Sequence, residues 1–339
     1  MNSGLYPWEL RRVLGERSRN WARGRAHVES YGDPPVIVFS PEEGRHGNFF
    51  DASYAAICAR PDWMRRFEKI HAQGRSLPRG ESGPEGEPPR RWRELDSSMS
   101  SDALLMNVFC APGVAQATSV RSALGVQGDA TPEFGWKARV PLKNGRFDRT
   151  EVDLRWGGLL VEAKLTEADF QTRAAAIVEG YRDFEDVFDR ELLPRAEIRT
   201  ARRRGAVEFA EEFTQEWEDV GRDETELMEA ATVAREFQTA IVERAREAEP
   251  FEPGYRGYQL IRNVLAAYGQ GSSFCVIHDE RRPDLREMWF EVMAAVKIGE
   301  MRVRCKVLTW QELAGLVPAE LARFLEAKYG IVAGGLGGI

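Results

Sequence analysis

The stretch Thr150–Leu165, TEVDLRWGGLLVEAKL, brings Asp153, Glu162 and Lys164 close together in sequence. Val152, Leu154 and Trp156 alternate with Glu151, Asp153 and Arg155; Val161, Ala163 and Leu165 alternate with Glu162 and Lys164. A period of two is that of a half-buried strand. Gly157 and Gly158 between the two arms predict a two-residue hairpin loop, because glycine accepts positive φ without steric cost. Such a loop sets Trp156 opposite Leu159, so paired residue numbers sum to 315. Asp153 then faces Glu162, and Glu151 faces Lys164. Opposed side chains on one face stand about 4.5–5.5 Å apart. Two carboxylates that close repel each other, and a divalent cation relieves the conflict; Mg²⁺ is commonly held by one or two carboxylates together with a substrate phosphate. Lys164, on the same face as Glu162, can hold or help deprotonate an attacking water. The chemistry described is hydrolysis by an activated water. A charged, solvent-exposed face on an edge hairpin would use the same residues, and Asp-x(8)-Glu-x-Lys recurs often by chance. The glycine hairpin, the apolar run GLLV and a helix ahead of it favour the chemical reading.

The elements around this hairpin follow from local pattern. Ser97–Phe109 opens with serines suited to N-capping and continues as a helix. Residues 136–142 and 150–165 read as strands. Ala174, Val178, Tyr181, Phe184 and Phe188 step by three or four, which predicts a helix over 168–190. Two further helices are expected, one along Val207–Val220 and one along Leu227–Ala248. Residues 258–268, YQLIRNVLAAY, resume a helix; 272–280 and 302–310 are short strands, and 311–329 is a final helix. Upstream, 1–30 reads as a basic amphipathic helix or arm, 46–73 as a helix or two broken at Pro61, and 74–91 as a Gly- and Pro-rich linker. The fold class is α/β, with the mixed sheet of an α+β arrangement. The expected division is residues 1–91 as an N-terminal helical extension and linker, and 92–330 as the sheet-bearing domain. The latter carries an acidic helical insertion at about 179–252.

Composition bounds the rest. At roughly 150 residues per domain, 339 residues correspond to about two domains. With 43% hydrophobic and 30% charged residues, a wholly disordered chain is excluded. No apolar run approaches the roughly 18 residues of a membrane span, and the N-terminal residues have no apolar signal core, so the expected location is the cytoplasm. Cys58, Cys110, Cys275 and Cys305 share no metal-ligand spacing with one another or with the 4 histidines, which reads as reduced thiols and no zinc. The net charge of −7 is unevenly spread. Residues 179–252 hold 22 acidic and 11 basic residues, a net of −11, and the remainder carries +4. A mildly basic working surface outside that segment is compatible with a polyanionic partner.

Asp153…Glu162-Ala163-Lys164, on two strands after one helix and before another, resembles the motif of the PD-(D/E)XK nuclease superfamily, whose core runs α-β-β-β-α-β. The phrases HGNFFDASYAAI, ELDSSMSSDALLMNVFC, EVDLRWGGLLVEAKLTEADFQ and YQLIRN resemble those of a bacterial restriction-endonuclease-like family within it, and together they span about 46–310. The resemblance implies a restriction-endonuclease-like core with a helical insertion and an N-terminal helical extension. It implies that Asp153 and Glu162 bind Mg²⁺ or Mn²⁺, that the backbone carbonyl of Ala163 adds a ligand, and that Lys164 assists the water. A further acid is common on the first helix; Asp102 and Glu133 compete for that role, and a helix cap is an equal alternative for Asp102. Gln259 matches a glutamine on a later helix, with Arg262 nearby as a phosphate clamp; an ordinary exposed helix face is the alternative for both. His46 in RHGNF could bind or donate, although a lone histidine is more often structural. The implied function is Mg²⁺-dependent endonuclease cleavage of phosphodiester bonds in DNA, in restriction, defence or repair. The implied partner is DNA and no membrane, with a homodimer left open. Two rivals remain: a nuclease-like module that binds nucleic acid without cutting it, and an assembly protein acting through its acidic helices.

Overall fold

In the computed structural model of the protein, which describes residues 4–30, 35–70, 93–199 and 251–334, the chain divides into two units. Residues 1–171, 179–194 and 257–339 make up the first, and residues 172–178 and 195–256 the second.

The first unit begins with helix α1 (Pro7–Ala22). Proline at the first helical position has its φ preset, and the Glu9 carboxylate accepts the Tyr6 amide at 2.8 Å. Strands β1 (His27–Glu29) and β2 (Ile37–Phe39) pair antiparallel, as do the two-residue strands β3 (Pro41–Glu42) and β4 (Arg45–His46). Helices α2 (Asp51–Cys58) and α3 (Pro61–Phe67) are separated at Pro61, which no helix interior tolerates. Helix α4 (Ser101–Phe109) is capped by Ser100, whose hydroxyl accepts the Ala103 amide at 3.1 Å, and α5 (Thr118–Leu124) stops at Gly125 with φ 74°. Strands β5 (Pro132–Pro141), β6 (Phe147–Trp156) and β7 (Leu159–Ala163) follow. The second unit contains β8 (Thr172–Ala174), the helical turn α6 (Ala175–Val178), β9 (Arg195–Arg199) and β10 (Phe251–Arg256), paired in the order β8-β10-β9. The turn α7 (Phe184–Val187) belongs to the first unit. That unit closes with α8 (Tyr258–Gly269), β11 (Ser273–His278), α9 (Pro283–Ala294), α10 (Gly299–Arg304), β12 (Cys305–Thr309), α11 (Trp310–Ala314) and α12 (Ala319–Tyr329).

The main sheet has five strands in the order β12-β11-β7-β6-β5. β5, β6 and β7 run antiparallel, whereas β7, β11 and β12 run parallel. The protein is thus mixed α/β. β7 is the central strand and all five of its residues are buried, as expected where both faces are covered. Leu154, Trp156, Val161 and Ile277 pack into one apolar core with Leu104, Val108 and Phe109 of α4. Burial of each such side chain contributes about 1.5–3 kcal/mol. That packing fixes the hairpin firmly enough for it to carry charged groups. Among the described residues no helix is long and apolar enough to cross a membrane.

Several expectations change. Leu10 and Leu14 of α1 sit fully within the core that holds the sheet, so α1, expected as part of an extension over residues 1–91, packs into that core. The helix expected over 168–190 is absent. Its periodic apolar residues are divided instead among β8, paired with β10, the turns α6 and α7, and Tyr181, which bridges to Leu142 and donates to Asp148 at 2.6 Å. Non-local pairing has overridden a local pattern. Strand 302–310 is shorter than expected, because Gly299–Arg304 is helical, and the final helix is split, with Pro318 at the start of α12. The helices expected along 207–220 and 227–248 and the linker 74–91 lie outside the described residues.

Candidate active site

Gly157 takes the left-handed φ of 59° and turns the chain between β6 and β7. Three ladder pairs follow, Trp156 with Leu159, Arg155 with Leu160 and Leu154 with Val161, each summing to 315 as the two-glycine loop requires. There the ladder stops. Instead of a further rung, the Ala163 amide donates to Asp153 Oδ2 at 2.7 Å. Lys164 turns the other way, its backbone amide donating to the Ile277 carbonyl of β11 at 2.8 Å. The N–H and C=O of one residue share an edge in an extended strand, and edges alternate. The Ala163 carbonyl therefore faces the same side as Asp153.

Glu162 and Lys164 are 2% and 4% exposed, and the ammonium donates to Glu162 Oε1 at 2.6 Å. The second oxygen, Oε2, accepts from Asn263 Nδ2 on α8 at 2.8 Å. The expected pairing of Glu151 with Lys164 does not occur: Glu151 lies beyond the end of the ladder and meets Lys69 at 2.6 Å and Arg66 at 3.7 Å.

The electrostatics are lopsided. Burial, and then the charges of Glu162 and Asp102, push the Asp153 carboxyl well above its ordinary range. Burial also drives the Asp102 carboxyl up to about 6, against the pull of Arg66. Burial disfavours the Lys164 ammonium, but Glu162, Glu167 and Asp153 outweigh it and hold the group above its usual range. Asp153 and Asp102 open onto a cavity of about 1010 Å³, whose wall also includes Glu167, Arg11, Gln171 and Gln259. Glu167 is fixed there by the Ser101 hydroxyl and the Leu165 amide, both at 2.6 Å.

Of the two acids weighed for a third carboxylate, Asp102 on α4 lies beside Asp153, while Glu133 on β5 does not. Glu133 is half exposed, 3.8 Å from Arg155, and lines a separate hollow with Trp63 and Lys137. Asp102 Oδ2 is paired with Arg66; Oδ1 is buried without a hydrogen-bond partner. It is not the helix cap, a role Ser100 fills. Gln259 reaches the cavity wall, but Arg262, one residue before Asn263, is stacked over the Tyr258 ring at 5.2 Å and does not line it. His46 is 1% exposed, 3.1 Å from Asp96 and ringed by Phe49, Tyr54 and Phe67, which makes it structural. Sequence reading passed over Asn263, Glu167 and Arg66. Asn263 is detectable at i+4 from Gln259, on the same helix face.

Residues 16–330 match the model of a family described as restriction endonuclease associating with ARP. The chain belongs to this family. Neither the curated proteins nor the solved structures contain a match to it. Within this restriction-endonuclease family member, the residues best suited to hold a cation are oxygen donors. Among the described residues no three His, Cys, Asp or Glu side chains form a ready-made metal cage. Mg²⁺ needs none, since it keeps waters and takes one or two carboxylates with substrate oxygens. The unpartnered Asp102 Oδ1 and the crowded Asp153 carboxyl, in a wall that also holds Arg66 and Lys69, are the oxygen donors open to such a cation.

Proposed function

We propose that the protein is a metal-dependent endonuclease that hydrolyses phosphodiester bonds in DNA. Its core would be of the PD-(D/E)XK type, supplied by α4, β5, β6, β7, α8 and β11. The observation that carries this reading is the clustering at the carboxyl end of the central strand: Asp153, which accepts the Ala163 amide and lines a cavity of about 1010 Å³, and the buried Glu162–Lys164 pair on either side of Ala163, which lies behind that wall. Asp153 and Glu162 would hold Mg²⁺ or Mn²⁺ with the Ala163 carbonyl, and Asp102 would join them. When bound, the cation supplies Lewis acidity toward the scissile phosphate. Lys164 acts on the water: its ammonium is held by Glu162 and can orient the nucleophile toward phosphorus. Asn263 holds Glu162 from behind, and Gln259 contacts the substrate from the cavity wall. Family membership supports DNA as the substrate class.

Incubation with supercoiled plasmid tests this. EDTA is expected to abolish cleavage and Mg²⁺ or Mn²⁺ to restore it, while Ca²⁺, with looser geometry, supports binding with little turnover. Mn²⁺ is also expected to raise the wild-type melting temperature through binding to the native state, and not that of Asp153→Asn. Cleavage that persists in excess EDTA, or an equal Mn²⁺ response in Asp153→Asn, overturns the metal assignment.

One observation favours a second reading, a module that binds DNA without cutting it. Both Glu162 oxygens are already engaged, by Lys164 and Asn263, so the pair is closed without a cation. DNA retention with no cleavage in Mg²⁺ or Mn²⁺ would select that reading.

A further inference from the structure

Tyr6 and Trp8, at 69% and 61%, are the most exposed aromatic side chains among the described residues, and both lie at the start of α1. This helix is a rigid support, since Leu10 and Leu14 on its inner face are buried in the main core. Arg11 is three residues after Trp8, so the two side chains are neighbours on the outer face. Arg11 also lines the cavity that Asp153 opens onto. Its Nε donates to the Thr166 carbonyl at 3.1 Å, two residues after Lys164. Its terminal nitrogens make no hydrogen bond among the described residues. The neighbouring Arg12 is different, being paired with Glu16 at 3.2 Å.

A fixed guanidinium with free donors, in the wall of a cavity that also holds Asp102, Asp153 and Glu167, suits a backbone phosphate. A large aromatic face beside it suits a nucleobase, but only one whose own face is free. In a continuous duplex each base is already stacked on both sides; in a single strand it is not. We propose that the outer face of α1 is a docking platform for single-stranded DNA, with Arg11 taking a phosphate and Trp8 stacking an unpaired base of the strand led into the cavity. This rests on the nuclease reading for its substrate and specifies the form of that substrate.

Fluorescence anisotropy of the full-length protein with a labelled 12-nucleotide strand and a 12-base-pair blunt duplex, both in EDTA, tests it. Trp8→Ala is expected to weaken single-strand binding roughly five- to hundred-fold, to leave duplex binding within about two-fold, and to be rescued by Trp8→Phe. Arg11→Gln is expected to weaken single-strand binding and to reduce the slope of log affinity against log salt by about 0.7, the loss of one phosphate contact. Wild-type protein that does not bind the single strand, or Trp8→Ala that binds it as wild type does, overturns the proposal. So does an equal loss on strand and duplex. The nuclease reading fails separately: plasmid that stays uncut while Trp8 controls strand binding leaves the platform standing, and cutting with unchanged binding in Trp8→Ala leaves the nuclease standing.

Discussion

Lys164 and Lys328 are both buried, at 4% and 0% exposure, and their surroundings are opposite. Lys164 sits among Glu162, Glu167 and Asp153, and these carboxylates overcome the cost of burial, so the group is held charged. Lys328 on α12 donates to the Asn48 carbonyl at 2.8 Å and the Tyr329 hydroxyl at 2.6 Å, and lies 4.1 Å from the Tyr329 ring centre. No carboxylate among the described residues pairs with it. Burial, and then the Arg25 charge, hold it well below the ordinary lysine range. One residue type thus serves as a fixed positive charge in one region and as a hydrogen-bonding core residue in the other. What separates them is the presence of anions, not depth.

The comparison breaks most visibly in catalysis. Lys164→Met is expected to lower plasmid cleavage about 10²–10⁴-fold while the Mn²⁺-induced melting shift survives, because both carboxylates remain. Lys328→Met is expected to stay within a few-fold of wild type. Equal losses in the two variants would remove the distinction.

Stability gives the next largest effect. Glu162→Gln leaves Lys164 as a buried charge without its main partner, at a cost of about 3–5 kcal/mol in urea unfolding. Adding Lys164→Met to that variant is expected to recover part of the loss. A Glu162→Gln protein as stable as wild type would mean that the pair is solvated.

The pH dependence of Lys328 is smaller and opposite in sense to that of a paired lysine. Its folded pKa is lowered, so the unfolded chain binds more protons between that value and 10.5, and stability rises with pH across this window. The slope is at most about 1.4 kcal/mol per pH unit. Urea midpoints measured from pH 7 to 10 are expected to climb in wild type and to climb less in Lys328→Met.

Asp153 gives the smallest effect. Its folded pKa is raised, so the native state is penalised at high pH and the penalty fades as pH falls through that value. Asp153→Asn keeps an acceptor for the Ala163 amide and removes the repulsion. It is expected to gain a few tenths to about 1 kcal/mol at pH 8 and nothing below the ordinary aspartate range. A gain independent of pH would count against charge crowding.

Much of this site was legible in the sequence because it depends on local chemistry. Two glycines between alternating arms set the register, and the three observed rungs follow it. Serines mark the start of α4, and the apolar run around Val276 marks β11. The misreadings occur where distant chain decides the outcome. Residues 172–174 carry a helical pattern but find β10 some eighty residues later. Nothing local shows that the hairpin ladder ends at Leu154, since that end depends on Lys164 turning to Ile277. Asn263 is placed against Glu162 across 101 residues, and the identity of neither residue announces the other. Lys164 and Lys328 look alike as letters, and only their folded neighbours tell them apart.

The bond from the Ala163 amide to Asp153 Oδ2 gives this protein an internal indicator. A backbone proton held by an ionisable oxygen changes its resonance frequency and its exchange with deuterium whenever that oxygen gains a proton or a cation. Selective ¹⁵N labelling of alanine would therefore allow the carboxyl to be titrated at a single nitrogen, with no substrate present and no turnover required.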